Sequence, residues 1–241
     1  MITFHRIIYC LGDYMKINNP FKSLNTFELC LWLSSMFVIG ISSILGGKAG
    51  FTATVASLLG VTGLIFIAKG MLAGQFFIIA FAILYGIVSF EARYYGEMIT
   101  YVGMSLPMAV VSTISWIRHP HKDSDRVEVA FMTPKKIILI IISTIIVTIS
   151  FFFILKALNN ASLYISTLSI ATSFIAASFT FLRSPYYALA YAVNDIVLIV
   201  LWVIASIKDI SNLSMVFCFI MFLLNDIYGF YNWKKMQKEQ D

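Results

Sequence analysis

Two asparagine–aspartate pairs, Asn194-Asp195 and Asn225-Asp226, are the residues of this chain best placed to do chemistry, because both lie inside long apolar runs. An acid in hydrocarbon costs at least about 2.5 kcal/mol even on lenient insertion scales, so each must face a bundle interior or water. The other ten of the twelve acidic residues fall in loops or at the ends of apolar runs. A carboxamide beside a carboxylate can hold the polar face of a neutral or cationic small molecule. The same groups could instead serve only as hydrogen bonds between helices. At helical rise, Asp195 lies about 15 Å from the start of its run and Asp226 about 8 Å from the end of its own. The two pairs then occupy neighbouring levels and can line one cavity.

Aromatic rings gather at those levels. Tyr187 and Tyr191 are four residues apart and share a helix face, with Asn194 on the same stripe. Two rings and an amide in line suit a flat heteroaromatic ring with a polar tail. Tyr85, Tyr101 and Tyr228 complete the candidate binding set of Asn194, Asp195, Tyr187, Tyr191, Asn225, Asp226, Tyr228, Tyr85 and Tyr101. Tyr94, Tyr95 and Tyr186, with Trp116 and Trp233, read as rings of the membrane–water belt.

Nothing here points to catalysis. The histidines His5, His119 and His121 all lie outside the apolar runs, and no zinc-protease, nucleophile-elbow or phosphate-loop motif occurs. Cys10, Cys30 and Cys218 are odd in number and scattered, so they specify neither a disulfide nor a metal site. The expectation is therefore no enzyme, no cofactor and no metal.

The elements that must position these residues are set by composition. Of 241 residues, 60% are hydrophobic and 12% charged, with a mean hydropathy of +0.88. Soluble domains carry about a quarter charged residues. Lipid is the solvent that such a chain fits. Eight runs approach the ~20 residues that cross a bilayer: 26–45, 51–68, 72–90, 96–117, 137–158, 163–182, 185–206 and 211–231. The net charge of +5 sits in short clusters between the runs, as anchors rather than a nucleic-acid stripe. One set of run ends carries thirteen of the seventeen Lys and Arg residues and the other carries four. That bias puts both termini and the polar 119–136 loop in the cytoplasm. Ahead of the first run, Phe4, Ile7, Ile8 and Leu11 predict a short interfacial helix.

The chain also matches itself. A shift of 117 residues places Trp116 on Trp233, each followed by basic residues, and Met98 on Met215. It also superposes the small-xxx-small patterns Ala56/Gly60 and Ser173/Ala177. Runs two to four thus recur as runs six to eight, and the intervening fifth run makes the two units parallel. The expected fold is an all-α polytopic membrane protein of eight transmembrane helices. It consists of a cytoplasmic segment 1–25, an extra helix in 26–50 and a three-helix repeat in 51–118. The 119–136 loop, a linker helix in 137–158, a second repeat in 163–233 and a tail 234–241 follow. Parallel repeats place a substrate site at their interface near the midplane. Pro107, deep in the fourth run, should kink it, as a hinge or as packing alone.

Several segments resemble the PnuC family of bacterial vitamin and nucleoside transporters. They are Asn-Pro-Phe-Lys at 19–22, the stretch from Tyr187 through Asn194-Asp195 to Trp202, and the closing Asn225-Asp226-Ile227-Tyr228-Gly229 with Tyr231-Asn232-Trp233. The resemblance implies a SWEET-like fold and facilitated diffusion of nicotinamide riboside, trapped inside by a cytosolic kinase. The family's Trp-x-x-Trp-x-x-x-Asn frame reads here Tyr187-x-x-Ala190-x-x-x-Asn194, keeping the asparagine and neither tryptophan. Related branches leave deoxynucleosides, thiamine and riboflavin open as substrates. The expected partners are one such small molecule and the bilayer, with no nucleic acid and with a homo-oligomer left open.

Overall fold

The computed structural model describes residues 19–45, 51–91, 94–121, 124–160 and 162–240. The interfacial helix expected near Ile7 lies outside them. Eight helices are long and apolar enough to cross a membrane. They are α1 (Thr26–Leu45), α2 (Phe51–Ala68), α3 (Leu72–Glu91), α4 (Tyr95–Arg118), α5 (Pro134–Ala157), α6 (Leu163–Phe181), α7 (Tyr187–Lys208) and α8 (Leu213–Gln240). No named strand occurs among the described residues. The helix ends follow local chemistry. Asn25 and Glu28 cap α1 reciprocally, each side chain accepting from the other's backbone N–H at 2.9 and 2.7 Å. Thr133 caps α5 by accepting from the Lys136 N–H, with Pro134 in its first turn. The last helix runs on past Tyr231 into the basic tail, because Trp233 and Met236 are buried.

The helix α4 is not uniform. Between Tyr95–Thr100 and Leu106–Arg118 it opens into a π turn, Tyr101–Ser105, across which the Leu106 N–H reaches the Tyr101 carbonyl. Pro107, which has no N–H to give, follows at once. The expected kink therefore takes the form of a π turn.

Two groups of three helices, α2–α3–α4 and α6–α7–α8, pack against each other through α2 on α8 and α4 on α6. The contacts at the basic end are reciprocal. Ser115 Oγ and Trp116 Nε1 of α4 donate to the carbonyls of Phe181 (2.9 Å) and Thr180 (3.0 Å) at the end of α6. Asn232 Nδ2 and Trp233 Nε1 of α8 donate to those of Ala68 (2.7 Å) and Ile67 (2.8 Å) at the end of α2. The two indoles meet with centroids 5.5 Å apart. Trp116 and Trp233 are thus buried closures between the halves, not belt residues: a carbonyl freed at each helix end needs a donor where water is excluded. At the opposite end Trp202 Nε1 donates to Tyr85 Oη at 2.8 Å, again joining residues 117 apart.

The loop between α4 and α5 straps the basic end. Its Val127 N–H donates to the Gly70 carbonyl (2.8 Å) and its Ala130 N–H to the Arg183 carbonyl (3.0 Å). Gly70 and Arg183 hold matching positions, one turn past the ends of α2 and α6, and both have positive φ, 71° and 56°. Gln240 accepts from the Val129 N–H (2.7 Å) and donates to the Val127 carbonyl (3.3 Å), tying the strap to α8. The helix α5 packs chiefly on α6 and turns Ile138, Ile142, Ile146 and Ile149 outward, as a linker facing lipid would.

The first helix is pinned by charge. Glu28 accepts from Lys69 Nζ at 3.0 and 2.8 Å and from Tyr228 Oη at 2.6 Å, all away from solvent. Breaking such a pair strands a buried charge, a loss of about 3–5 kcal/mol. Lys69→Met should therefore lower the thermal midpoint of the purified protein markedly, and adding Glu28→Met should recover much of the loss. Equal midpoints for Lys69→Met and the parent would remove the pinning role.

Candidate functional site

Between the two halves lies a central cavity of about 60 Å³. Its polar lining comes mainly from the second half. The stripe Tyr187, Tyr191 and Asn194 of α7 faces inward as one helical face, with Asp195 beside it. From α8 comes Asp226, from α6 Ser173 and Thr180, and from α4 Tyr101, Ser105 and Ser112. Apart from Gln75 of α3, the remaining wall is apolar, with Phe81, Phe219 and Phe222 among it.

Asn194 is oriented by its neighbours. Its Oδ1 accepts from Thr172 Oγ1 (2.8 Å) and Ser173 Oγ (2.9 Å), which occupies both lone pairs of the amide oxygen. The NH2 donors are then the half of the amide open to a ligand. Asp195 and Asp226 turn their carboxyl groups toward each other, and Asp195 Oδ2 has no hydrogen-bond partner among the described residues. Two carboxylates in contact cannot both be ionised in a dry site unless a cation joins them. Such a pair suits a shared proton or a positively charged ligand between its members. Tyr187 packs edge-on against Trp233 with centroids 4.8 Å apart. The Tyr191 hydroxyl meets the Thr180 side chain.

Six of the nine residues singled out from sequence line this cavity: Asn194, Asp195, Tyr187, Tyr191, Asp226 and Tyr101. The other three face elsewhere. Asn225 donates to the Met221 carbonyl (2.8 Å) and to Ser35 Oγ of α1 (3.2 Å). Tyr228 serves Glu28, and Tyr85 receives Trp202. Sequence reasoning misses Gln75, which is 1% exposed, lines the cavity from α3 and leaves its Nε2 without a partner among the described residues. The available signal was that it is the one amide in its apolar run. Two acids near the ends of their apolar runs are also buried: Glu28 in the pinning network, and Glu97, whose two carboxyl oxygens lack partners among the described residues.

The volume itself carries information. A water needs at least ~10–15 Å³ of such space, so the cavity takes a few waters and no bicyclic or nucleoside-sized molecule. Closure by Trp116, Trp233 and Tyr187 at the basic end and by Tyr85, Tyr101 and Trp202 at the other leaves the centre contracted. Loading requires side chains such as Phe222 to withdraw. Phe222 is held against Gly60, where any added methyl would land on its ring.

Three comparisons bear on this arrangement. Residues 50–235 match the profile of the nicotinamide mononucleotide transporter family. A nicotinamide riboside transporter PnuC of Neisseria mucosa is 24% identical over 215 residues, covering 86% of this chain and 81% of the relative. Another PnuC, from Haemophilus influenzae, is 23% identical over 210 residues, covering 86% and 90%. The crystal structure of the vitamin B3 transporter PnuC superposes with a TM-score of 0.79 at 22% identity, covering 91% of this chain and 95% of that one.

Gly60 gives a direct test of the contracted wall. Gly60→Ala must displace Phe222 and should cost about 1–3 kcal/mol by overpacking. Gly40→Ala, where an added methyl meets nothing within 4 Å, should be neutral or stabilising by up to about 1 kcal/mol. Thermal midpoints in detergent compare the two, and a Gly60→Ala midpoint no lower than that of Gly40→Ala contradicts the tight contact.

Proposed function

The chain belongs to the nicotinamide mononucleotide transporter family, and we propose that within it this protein imports nicotinamide riboside by facilitated diffusion. The observation that carries the reading is the oriented Asn194 amide next to the facing Asp195 and Asp226 carboxyls. Nicotinamide riboside presents a carboxamide, a positively charged ring and sugar hydroxyls. The Asn194 NH2 suits the carboxamide oxygen, and the carboxyl pair suits the ring charge. Gln75 and Ser112, on the facing half, suit the hydroxyls. Tyr187 and Tyr191 would flank the ring. Asn225, Tyr228 and Tyr85 would act one step away, by fixing α1 and α7 against the lining helices.

Transport in this reading is alternating access. The two closures open in turn, and the substrate moves down its own gradient until a cytosolic kinase phosphorylates it. The Lys and Arg bias supports a cytoplasmic basic end. A second reading, thiamine, draws on one observation: with Tyr187 and Ala190 in place of two indoles, the stacking platform is smaller, and thiamine also carries a ring cation.

Counterflow in proteoliposomes separates these readings. Labelled nicotinamide riboside should exchange, and thiamine, riboflavin and deoxynucleosides should compete at least tenfold less well. Exchange of thiamine alone would reassign the substrate, and no exchange of any of them would remove the transport reading. Thr172→Val with Ser173→Ala frees the Asn194 amide at a cost of about 1 kcal/mol per lost hydrogen bond. The double variant should therefore weaken nicotinamide riboside binding about tenfold or more. Unchanged affinity would take Asn194 out of the site.

A further inference from the structure

A second cluster of chemistry-bearing groups lies beyond the central cavity, at the end opposite the basic one. Tyr94, which caps α4, and Glu97 and Tyr101 within it are three and four residues apart and form one stripe. Trp202 of α7 lies against Tyr94 with centroids 5.4 Å apart, and Tyr85 of α3 against Tyr101 at 4.0 Å. The Trp202–Tyr85 hydrogen bond closes the ring of side chains at 2.8 Å. Glu97 is 0% exposed, within electrostatic reach of the Tyr85 and Tyr101 hydroxyls, and neither carboxyl oxygen has a hydrogen-bond partner among the described residues. Ser89, equally buried, leaves its hydroxyl without a partner too.

Folded chains rarely leave a buried carboxyl with nothing to bind, because the lost hydration is not recovered. Glu97 shares its stripe with two electron-rich rings, Tyr94 and Tyr101, and on these pack two more, Trp202 and Tyr85. Aromatic faces grouped about an acid are the means by which proteins hold organic cations, through attraction of the positive charge to the ring faces. Two features connect the cluster to a path. Tyr101 belongs to both this box and the lining of the central cavity. The π turn begins at Tyr101, so the part of α4 carrying Tyr94 and Glu97 is joined to the rest by a break in helical register.

We propose that Glu97, with Tyr85, Tyr94, Tyr101 and Trp202, forms an outer recognition site for a planar organic cation, the first station of the substrate before the central cavity. The site is collapsed in the present conformation. It forms when the Tyr85–Trp202 bond parts, and it shuts behind the cation as the rings come together again. Glu97 then selects for charge on approach, whereas Asn194 and Asp195 select for the whole molecule at the centre. The role in import rests on the transport reading above; the cation site itself does not.

The test uses the full-length protein in lipid nanodiscs and N-methylnicotinamide, which keeps the ring and its charge but lacks the sugar. Binding is read as saturable quenching of tryptophan fluorescence, with neutral nicotinamide as the control. Glu97→Gln should weaken the saturable component at least tenfold, and Trp202→Phe should remove most of its amplitude. In proteoliposomes Glu97→Gln should raise the KM for nicotinamide riboside about tenfold, with equilibrium binding at the centre within twofold of the parent. Quenching and KM both unchanged in Glu97→Gln would overturn the proposal while leaving the transporter reading in place. Quenching that depends on Glu97, in a protein that exchanges no nicotinamide riboside, would do the reverse. Should Glu97→Gln lower the thermal midpoint, Tyr94→Leu, which removes a ring at the helix end, must weaken the same component or the box is not the site.

Discussion

Hydrocarbon offers no partner to a polar atom, and in this protein that constraint fixes where every helix meets its neighbour. Most intramembrane hydroxyls are satisfied at home. Ser35, Ser57, Thr62, Thr113 and Thr144 each donate to the carbonyl four residues earlier in their own helix. Several charged and amide groups instead bind helices together. Glu28, Lys69 and Tyr228 join α1 to α2 and α8, and Trp32 adds a bond from α1 to Thr62 at 3.0 Å. What remains unsatisfied is then informative. Among the described residues, Gln75 Nε2, Asp195 Oδ2 and both Glu97 oxygens are among the buried groups that internal packing has not used.

The same constraint explains why the halves meet at their helix ends. A helix that stops inside the membrane leaves carbonyls without donors. The ends of α2 and α6 receive a side-chain pair from the opposite half, Asn232 with Trp233 and Ser115 with Trp116. The turns that follow, at Gly70 and Arg183, accept backbone N–H groups from the strap. Each connection is made twice in equivalent places, so either half holds the other by the same means. Separating the basic ends must release both pairs of indole and amide bonds together with the strap, which makes closure there cooperative.

How much of this the sequence reveals depends on the kind of signal. Helix existence follows from hydropathy over about 20 residues, and the apolar runs match the helices within a few residues except at the far end of α8. There Lys234 and Lys235 signal an end, yet Trp233 and Met236 need burial and carry the helix on. The Tyr187–Tyr191–Asn194 stripe is legible because one helical period joins its members. Asn225 and Asp226, adjacent in sequence, point to different neighbours, because successive helical residues are turned by about 100°. No periodicity in a single helix tells which of two adjacent polar residues meets α1 and which meets the cavity. Glu97 is hidden for a related reason: two positions from a helix end reads as exposed, and only its complete burial in the packed bundle shows otherwise.

Parallel repeats favour a symmetric site, and here the lining is not symmetric. The closures pair residues 117 apart, Trp116 with Trp233 and Tyr85 with Trp202. Under the same shift, however, Asp195 falls on Ile78 and Asp226 on Ala109, which line the cavity from the other half without charge. A symmetric frame lets two halves rock against each other with equivalent contacts at each end. A symmetric lining would add a second carboxyl pair to a space of about 60 Å³ and with it a repulsion that nothing there relieves. Polarity concentrated in α7 and α8, opposite an apolar wall bearing Gln75, instead gives the cavity a charged side and a neutral side. A flat molecule with its charge in one ring and its hydroxyls on another then has a single favourable orientation between the halves.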